Sequence, residues 1–304
     1  MTYCYVCPHR CGVDRPESFT DPGIETWEKC YGSCGMPVAP VIARAGLHMW
    51  EEPVISGTKG SGTVFFTGCN LHCVFCQNYE ISAKGFGKEV TVERLQEIYQ
   101  ELIAQGAHNI NLVTPTHYTE AIVKSLAKPL SVPVVYNTSG FETFDTLRRL
   151  QGKVQIYLPD LKWYDDVNAI KYSNAPYYFR ITTDAIKEMY RQVGDYEIND
   201  EGIMQKGVII RHLIMPGMLD NTKRIIDWVA KTFKPGQVMF SLMRQYIPQG
   251  NASAYPEINR KVTDEEYHEL EQYLLASPIE DGFVQEEEEA ASANFIPCFD
   301  GTGV

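Results

Sequence analysis

The 304-residue sequence has no apolar stretch approaching the roughly 20 residues of a membrane-spanning helix. It has no basic run either. Its 27 lysines and arginines stand against 39 aspartates and glutamates, a net charge of −12, which disfavours nucleic acid and anionic membranes as partners. Met1-Thr2-Tyr3-Cys4 shows neither the basic nor the apolar region of a secretory signal, so the chain is expected to be soluble and cytoplasmic. Nine cysteines in a chain without an export signal, clustered rather than scattered, read as metal ligands more than as disulfides.

Three of them lie in Cys69-Asn70-Leu71-His72-Cys73-Val74-Phe75-Cys76, directly after the apolar run Val64-Phe65-Phe66 and the turn Thr67-Gly68. Three thiolates on one short loop can hold three corners of an iron–sulfur cube and leave the fourth iron without a protein ligand. An open coordination position permits catalysis, whereas an electron carrier is normally ligated in full. A zinc knuckle is the competing reading, but zinc sites usually show paired C-x2-C spacing and a fourth ligand nearby.

Cys4-x2-Cys7-x3-Cys11 and Cys30-x3-Cys34 put five more sulfurs in a segment too short and polar to build its own core, so a metal is expected to fold it. Cys4, Cys7, Cys11 and Cys34 are the expected ligands, because Gly12 and Gly35 repeat a Cys-Gly turn, and Cys30 is then the spare. Zinc and an auxiliary iron–sulfur cluster both fit four thiolates.

From Gly60 onward short apolar runs alternate with helical patterns, as in parallel strands joined by crossover helices. The expected strands are Thr63–Phe66, Ile110–Val113, Val134–Tyr136, Gln155–Leu158, Tyr178–Ile181, Val208–Ile214 and Val238–Leu242. Helices are expected after Thr91, which is placed as a cap, after Asn221, and from the capping box Thr263-Asp264-Glu265-Glu266. Seven such strands suggest an α/β fold, an incomplete (β/α) barrel open on one side, with the first strand delivering the cysteine loop to its C-terminal mouth. Residues 1–59 then form the cysteine-rich segment, 60–277 the barrel, and 278–304 an acidic linker, Glu286–Glu289, with a C-terminal tail. The tail returns to apolar and turn residues and should dock, one possible place being the open side or mouth of the barrel. Its Cys298 reads more plainly as a buried, inert thiol than as a redox-active one. Polar groups recur at the strand ends: Thr114-Pro115-Thr116-His117, Asn137-Thr138-Ser139-Gly140, Pro159-Asp160-Leu161-Lys162 and Arg211-His212.

With its C-x3-C-x2-C loop and an aromatic before the last cysteine, the chain resembles the radical SAM superfamily. Within it, from the first cysteines to beyond Gln245, it resembles the PflX-like relatives of pyruvate formate-lyase activating enzyme. The resemblance implies a 4Fe–4S cluster on Cys69, Cys73 and Cys76, with S-adenosylmethionine (SAM) on its open iron and Phe75 packed on the adenine. Thr114, Pro115 and Thr116 stand where the family has a Gly-Gly-Glu segment for the SAM amino group, which leaves backbone carbonyls as acceptors. Asn137 replaces a usual Asp, with Ser139 close behind it. Asp160 and Lys162 match an Asp-x-Lys whose lysine meets the SAM carboxylate, and Arg211 matches an arginine near the same end. Gln245 stands in place of a SAM-contacting histidine.

The implied reaction is one-electron reduction of the cluster by a partner such as flavodoxin or ferredoxin, cleavage of SAM to methionine and a 5′-deoxyadenosyl radical, and hydrogen abstraction from substrate. The activating enzymes carry an Asp-Gly-Pro-Gly-hydrophobic-Arg stretch before the first strand, and here Ile55-Ser56-Gly57-Thr58-Lys59-Gly60-Ser61 replaces it. Radical chemistry is thus better supported than glycyl-radical activation. The readings that stand are a radical SAM oxidoreductase acting on a protein partner, one acting on a small molecule, and a non-catalytic iron–sulfur carrier or sensor.

Overall fold

The computed structural model describes residues 4–19, 32–285 and 296–304. Cys30 and the acidic run Glu286–Glu289 lie outside the described residues. Strand β1 (Val41–His48) leads through the short helix α1 (Pro53–Ser56) into β2 (Ser61–Phe66), followed by α2 (Tyr79–Ser82) and β3 (Lys88–Glu89). Strands and helices then alternate: α3 (Val92–Ala104), β4 (Ile110–Val113), α4 (Thr119–Ser125), β5 (Val134–Thr138), α5 (Phe144–Leu150) and β6 (Ile156–Pro159). Two helices in succession, α6 (Asp166–Ser173) and α7 (Tyr178–Val193), precede β7 (Glu197–Ile198), β8 (Met204–Leu213), α8 (Leu219–Thr232), β9 (Met239–Met243), α9 (Asp264–Leu275) and β10 (Gly282–Val284).

The strands hydrogen-bond in the order β10-β9-β8-β6-β5-β4-β2-β1-β3, with β7 on the side of β8. Every pairing from β2 to β10 along this path is parallel, which the intervening crossovers make possible. β1 runs antiparallel to β2, and β3 antiparallel to β1. The path ends at β10 and at β3 without closing, so the fold is an unclosed parallel α/β barrel. Both flanking segments contribute to it, β1 from residues 1–59 and β10 from residues 278–304.

The local signals act as their chemistry requires. Thr91 accepts a bond from the Arg94 amide and starts α3, and Thr263 and Glu266 complete a reciprocal capping box at α9. One expected strand is overturned: Tyr178–Ile181 opens the helix α7. Tyr178, Thr182, Ala185, Ile186 and Met189 are all buried, and that spacing belongs to a helical face, not to a strand. The seventh parallel strand is instead β10. Helix α8 begins at Leu219, before Asn221, whose side chain is otherwise engaged: it accepts from the Tyr164 amide and donates to Lys162 O, tying down the loop after β6.

Inside the barrel, Val54 and Ile55 of α1 pack with Val135, Ile156, Leu158, Met204, Ile209 and Met239. Several of these are the first residues of their strands, so α1 plugs the end of the barrel from which the strands start. Burying Ile55 completely contributes about 2–3 kcal/mol by apolar transfer alone.

The N-terminal segment lies against the opposite end. Val6 O accepts from the hydroxyls of Thr143 and Thr146, Arg15 donates to Met36 O and His117 O, and His9 Nε2 lies 2.8 Å from Asn70 O in the cysteine loop. The tail docks along β1, with Gly301 N donating to Ala43 O and Ala45 N to Thr302 O. Gly303 has φ +76°, and a Cβ there would stand 2.2 Å from Ala45 O, so glycine is what permits the approach. Cys298 is exposed, contrary to the buried reading, because the tail presents Phe299 to Phe65 and leaves its neighbour outside.

Candidate active site

The loop after β2 is held from both sides. Val74 N donates to Tyr172 O and His72 N to Ser173 O, at the end of α6, while Asn251 N donates to Val74 O. Asn70, fully buried, donates its amide to Phe141 O. These bonds fix the backbone and orient Cys69, Cys73 and Cys76 along one wall of a cavity of about 630 Å³. Donors point at the sulfurs: Leu71 N lies 3.3 Å from Cys69, Ser82 Oγ 3.2 Å from Cys76, and Ser173 Oγ 3.1 Å from Cys73. Ser173 is itself oriented by the Trp163 indole N–H, which donates to its Oγ.

Burial raises the pKa of all three thiols, with repulsion from neighbouring cysteines adding to it at Cys69 and Cys73, and Cys73 is pushed up to about 11. Without metal they are therefore protonated, and loading a metal must release protons. Among the described residues, no group of three or more His, Cys, Asp or Glu side chains is placed to hold a metal ion. An iron–sulfur cube is larger than a single ion, binds each thiolate through a different iron, and is stabilised by hydrogen bonds to its sulfurs. Three thiols on one loop, each with a polar neighbour and all lining one cavity, fit such a group.

The strand ends supply the other wall. Asp160 accepts from Lys162 Nζ at 2.6 Å through one oxygen and from Arg211 Nε at 2.9 Å through the other. Burial works against its ionisation, but Arg211 and Lys162 outweigh it and hold the Asp160 carboxyl below its ordinary range. Lys162 is likewise kept charged by Asp160 despite its burial. Arg211 also donates to Asn137 Oδ1 at 2.6 Å. Phe75 is buried beside Trp163 and Tyr246, with ring centroids 5.8 and 5.9 Å away, and faces the same cavity. Thr114 and Ser139 line it as well. Gln245 does too, with its Oε1 accepting from Gln285.

Thr114 has φ +58°, a left-handed conformation that a β-branched residue adopts only under constraint. Its amide donates to Asn137 O. Pro115 and Thr116 do not reach the cavity; the Thr116 hydroxyl instead donates to the buried Glu142.

Two acidic cavity residues were not anticipated. Glu51 and Glu52 precede the plug helix α1 and rise into the barrel from below. Glu51 Oε2 accepts from Arg211 at 3.2 Å, and its Oε1 from Asn111 and Asn137. Burial raises the pKa of both, that of Glu52 to about 7. In sequence, two acids before a proline look like the first turn of an exposed helix. The available hint was Asn111, a lone amide within the apolar run Ile110–Val113.

At the N-terminal segment, Cys7 and Cys34 are buried and Cys4 and Cys11 partly so. Burial raises Cys7 to about 12, and Cys34, Cys11 and Cys4 are near enough to add to the shift. Cys30 cannot be placed among them, lying outside the described residues.

The Radical SAM superfamily profile matches residues 63–229, more than half of the chain. An uncharacterized protein of Methanocaldococcus jannaschii, MJ0674, is 33% identical over 281 residues, covering 89% of this chain and 73% of its own length. Among solved structures, Streptococcus suis SuiB bound to S-adenosylmethionine is 12% identical over 75% of this chain, with a TM-score of 0.48, and the match spans 52% of SuiB. A domain of the pyruvate-formate lyase-activating enzyme from Bacteroides vulgatus is 13% identical over 64% of this chain and 91% of that domain, with a TM-score of 0.37. By its profile match, the chain belongs to the radical SAM superfamily, a family of enzymes built around a 4Fe–4S cluster and S-adenosylmethionine.

Proposed function

We propose that this protein is a radical SAM oxidoreductase that takes a hydrogen atom from a substrate held in the 630 Å³ cavity. The supporting observation is the pairing, across one cavity, of three partly buried thiols with the Asp160–Lys162–Arg211 charge group. In this reading Cys69, Cys73 and Cys76 hold the 4Fe–4S cluster. When bound, the cluster supplies the electron that splits SAM into methionine and a 5′-deoxyadenosyl radical. Lys162 and Arg211 orient the SAM carboxylate, since charged donors in a partly closed site make the stronger hydrogen bonds. Phe75 offers a ring face for the adenine, Thr114 offers its carbonyl, and Asn137, Ser139 and Gln245 offer neutral polar contacts. Leu213, Met243 and Tyr246 on the same walls exclude water.

A polypeptide is the favoured substrate. A cavity of this size falls within the ~300–1,000 Å³ of sites for one small ligand, so with SAM inside, the remaining room suits a side chain. Glycyl-radical activation is less favoured, because residues of the departing stretch, Ile55 among them, serve here as the barrel plug. The electron would come from a small carrier such as flavodoxin or ferredoxin. Cys4, Cys7, Cys11 and Cys34 form a second site, for zinc or an auxiliary cluster, in a segment folded by its metal and distinct in role from the barrel of residues 60–277. Anaerobic reconstitution followed by dithionite and SAM tests the main reading: 5′-deoxyadenosine should be released, and its absence from fully loaded protein would favour a carrier or sensor instead.

A further inference from the structure

We infer that Glu52, on the floor of the cavity, is the anchoring carboxylate for an ammonium group of the substrate. This deepens the proposed use of the same cavity and rests on it. Five charged side chains other than cysteines and His48 line that cavity: Glu51, Glu52, Asp160, Lys162 and Arg211. The two cations are already engaged, Lys162 with Asp160, and Arg211 with Asp160 and Glu51. Glu52 is left over. Its side chain is only 7% exposed, its nearest cationic atom, on Arg211, is 4.0 Å away, and its buried Oε2 has no hydrogen-bond partner.

An orphaned buried carboxylate oxygen costs free energy unless something supplies a donor. A second orphan lies on β4. Asn111 Oδ1 is buried without a partner, and the amide cannot usefully turn over, because its Nδ2 already donates to Glu51 Oε1. Asn111 shares the inward face of β4 with Val113, which lines the cavity. An unpartnered carboxylate oxygen, in a group of three carboxylates and two cations at the end of the barrel away from the cysteine loop, calls for a cationic group with several N–H donors. The ammonium of a lysine-like side chain has that charge, that donor count and a stem long enough to descend between apolar walls. While it holds Asp160 and Glu51, Arg211 comes no nearer to Glu52 than 4.0 Å, too long for a hydrogen bond.

The test reads binding on the reconstituted holoprotein at about physiological ionic strength, where charges on the surface are screened. Calorimetric titration with n-butylammonium chloride is compared with 1-butanol, a neutral probe of the same shape. Butylammonium should bind, 1-butanol should not, and Glu52→Gln should weaken butylammonium binding at least about tenfold, the loss of one charged hydrogen bond. No butylammonium binding, equal binding of the two probes, or unchanged affinity in the variant overturns the subsite. The probe comparison uses wild-type protein alone and so stands even if the variant does not fold. Repeating the titration with saturating SAM should leave the affinity unchanged, and competition by SAM would overturn the assignment to substrate. Because nothing here requires turnover, failure to cleave SAM would be a separate result from failure to bind the cation.

Discussion

Asp160 Oδ1 and Arg211 Nε meet at 2.9 Å just past the end of β6, and the same two residues also pair through their backbones. The side-chain contact extends a strand pairing into the cavity. From this point the Arg211 guanidinium reaches Asn137 on β5 and Glu51 beside the plug, so one side chain ties two strand ends to the segment that closes the barrel floor.

Replacing Arg211 by Leu should therefore destabilise the protein by about 3–5 kcal/mol, the cost of stranding buried carboxylates without their partner. Lys162→Leu should cost less, because Asp160 keeps Arg211. Urea unfolding of the two variants, compared at equal denaturant slope, measures the difference; equal losses would mean that Arg211 does not bridge the barrel.

Lys162→Met should raise the dissociation constant for SAM at least about tenfold, given the strength of a charged hydrogen bond in a partly closed site. Equilibrium dialysis with labelled SAM on cluster-loaded protein gives the number. Unchanged affinity would remove Lys162 from the carboxylate site.

Cys73→Ala should abolish both assembly of the barrel cluster and SAM cleavage, because two thiolates cannot hold the cube with the same open iron. Iron analysis and the 5′-deoxyadenosine assay read the two effects separately, and a variant retaining both would sink the ligand assignment.

The double variant Cys7→Ala/Cys11→Ala should keep the barrel cluster and lose one metal equivalent or one cluster. Full metal content in that variant would mean that these cysteines are not ligands. Partial proteolysis should also show residues 4–19 released from the barrel, since a metal-folded segment has no apolar core to fall back on.

Glu142 makes stability depend on pH. Burial pushes its pKa up to about 7, outweighing the bonds from Thr116, Thr138 and Tyr136. The unfolded chain loses this proton near the ordinary value of 4.5 and the folded chain only near 7, so stability is full below the lower value and falls as pH rises to the upper one. The loss amounts to roughly 3 kcal/mol. Glu142→Gln should reduce the fall in melting temperature between those two pH values, leaving the share owed to Glu51 and Glu52, and raise it relative to wild type at pH 8. A variant as pH-dependent as its parent would show that Glu142 does not titrate there.

What a reader of the chain could recover was local. The spacing of Cys69, Cys73 and Cys76, the caps at Thr91 and Thr263, and the polar residues at the ends of β4, β5, β6 and β8 are relations between neighbours within a few residues. Chain geometry converts them directly into a loop, a helix start or a strand end. The alternating rhythm likewise determined a parallel sheet with crossovers, because parallel neighbours cannot be joined by a short turn.

The tertiary structure decided the rest. Whether Tyr178-Phe179-Arg180-Ile181 extends or coils depends on which of its side chains find a core, and the core lies on elements far away in sequence. β10 becomes a strand only because β9 offers an open edge, and the tail settles on the stretch of β1 beyond Ile42 that β3 leaves unpaired. Glu51 and Glu52 acquire their place because Val54 and Ile55 are drawn into the barrel floor, carrying two carboxylates inward behind them. Burial then changes what those carboxylates do: acids that would be unremarkable in water become, beside Arg211 and Asn111, one paired and one unpaired acceptor in a closed space. That property belongs to the packing of strands remote in sequence, and no spacing along the chain encodes it.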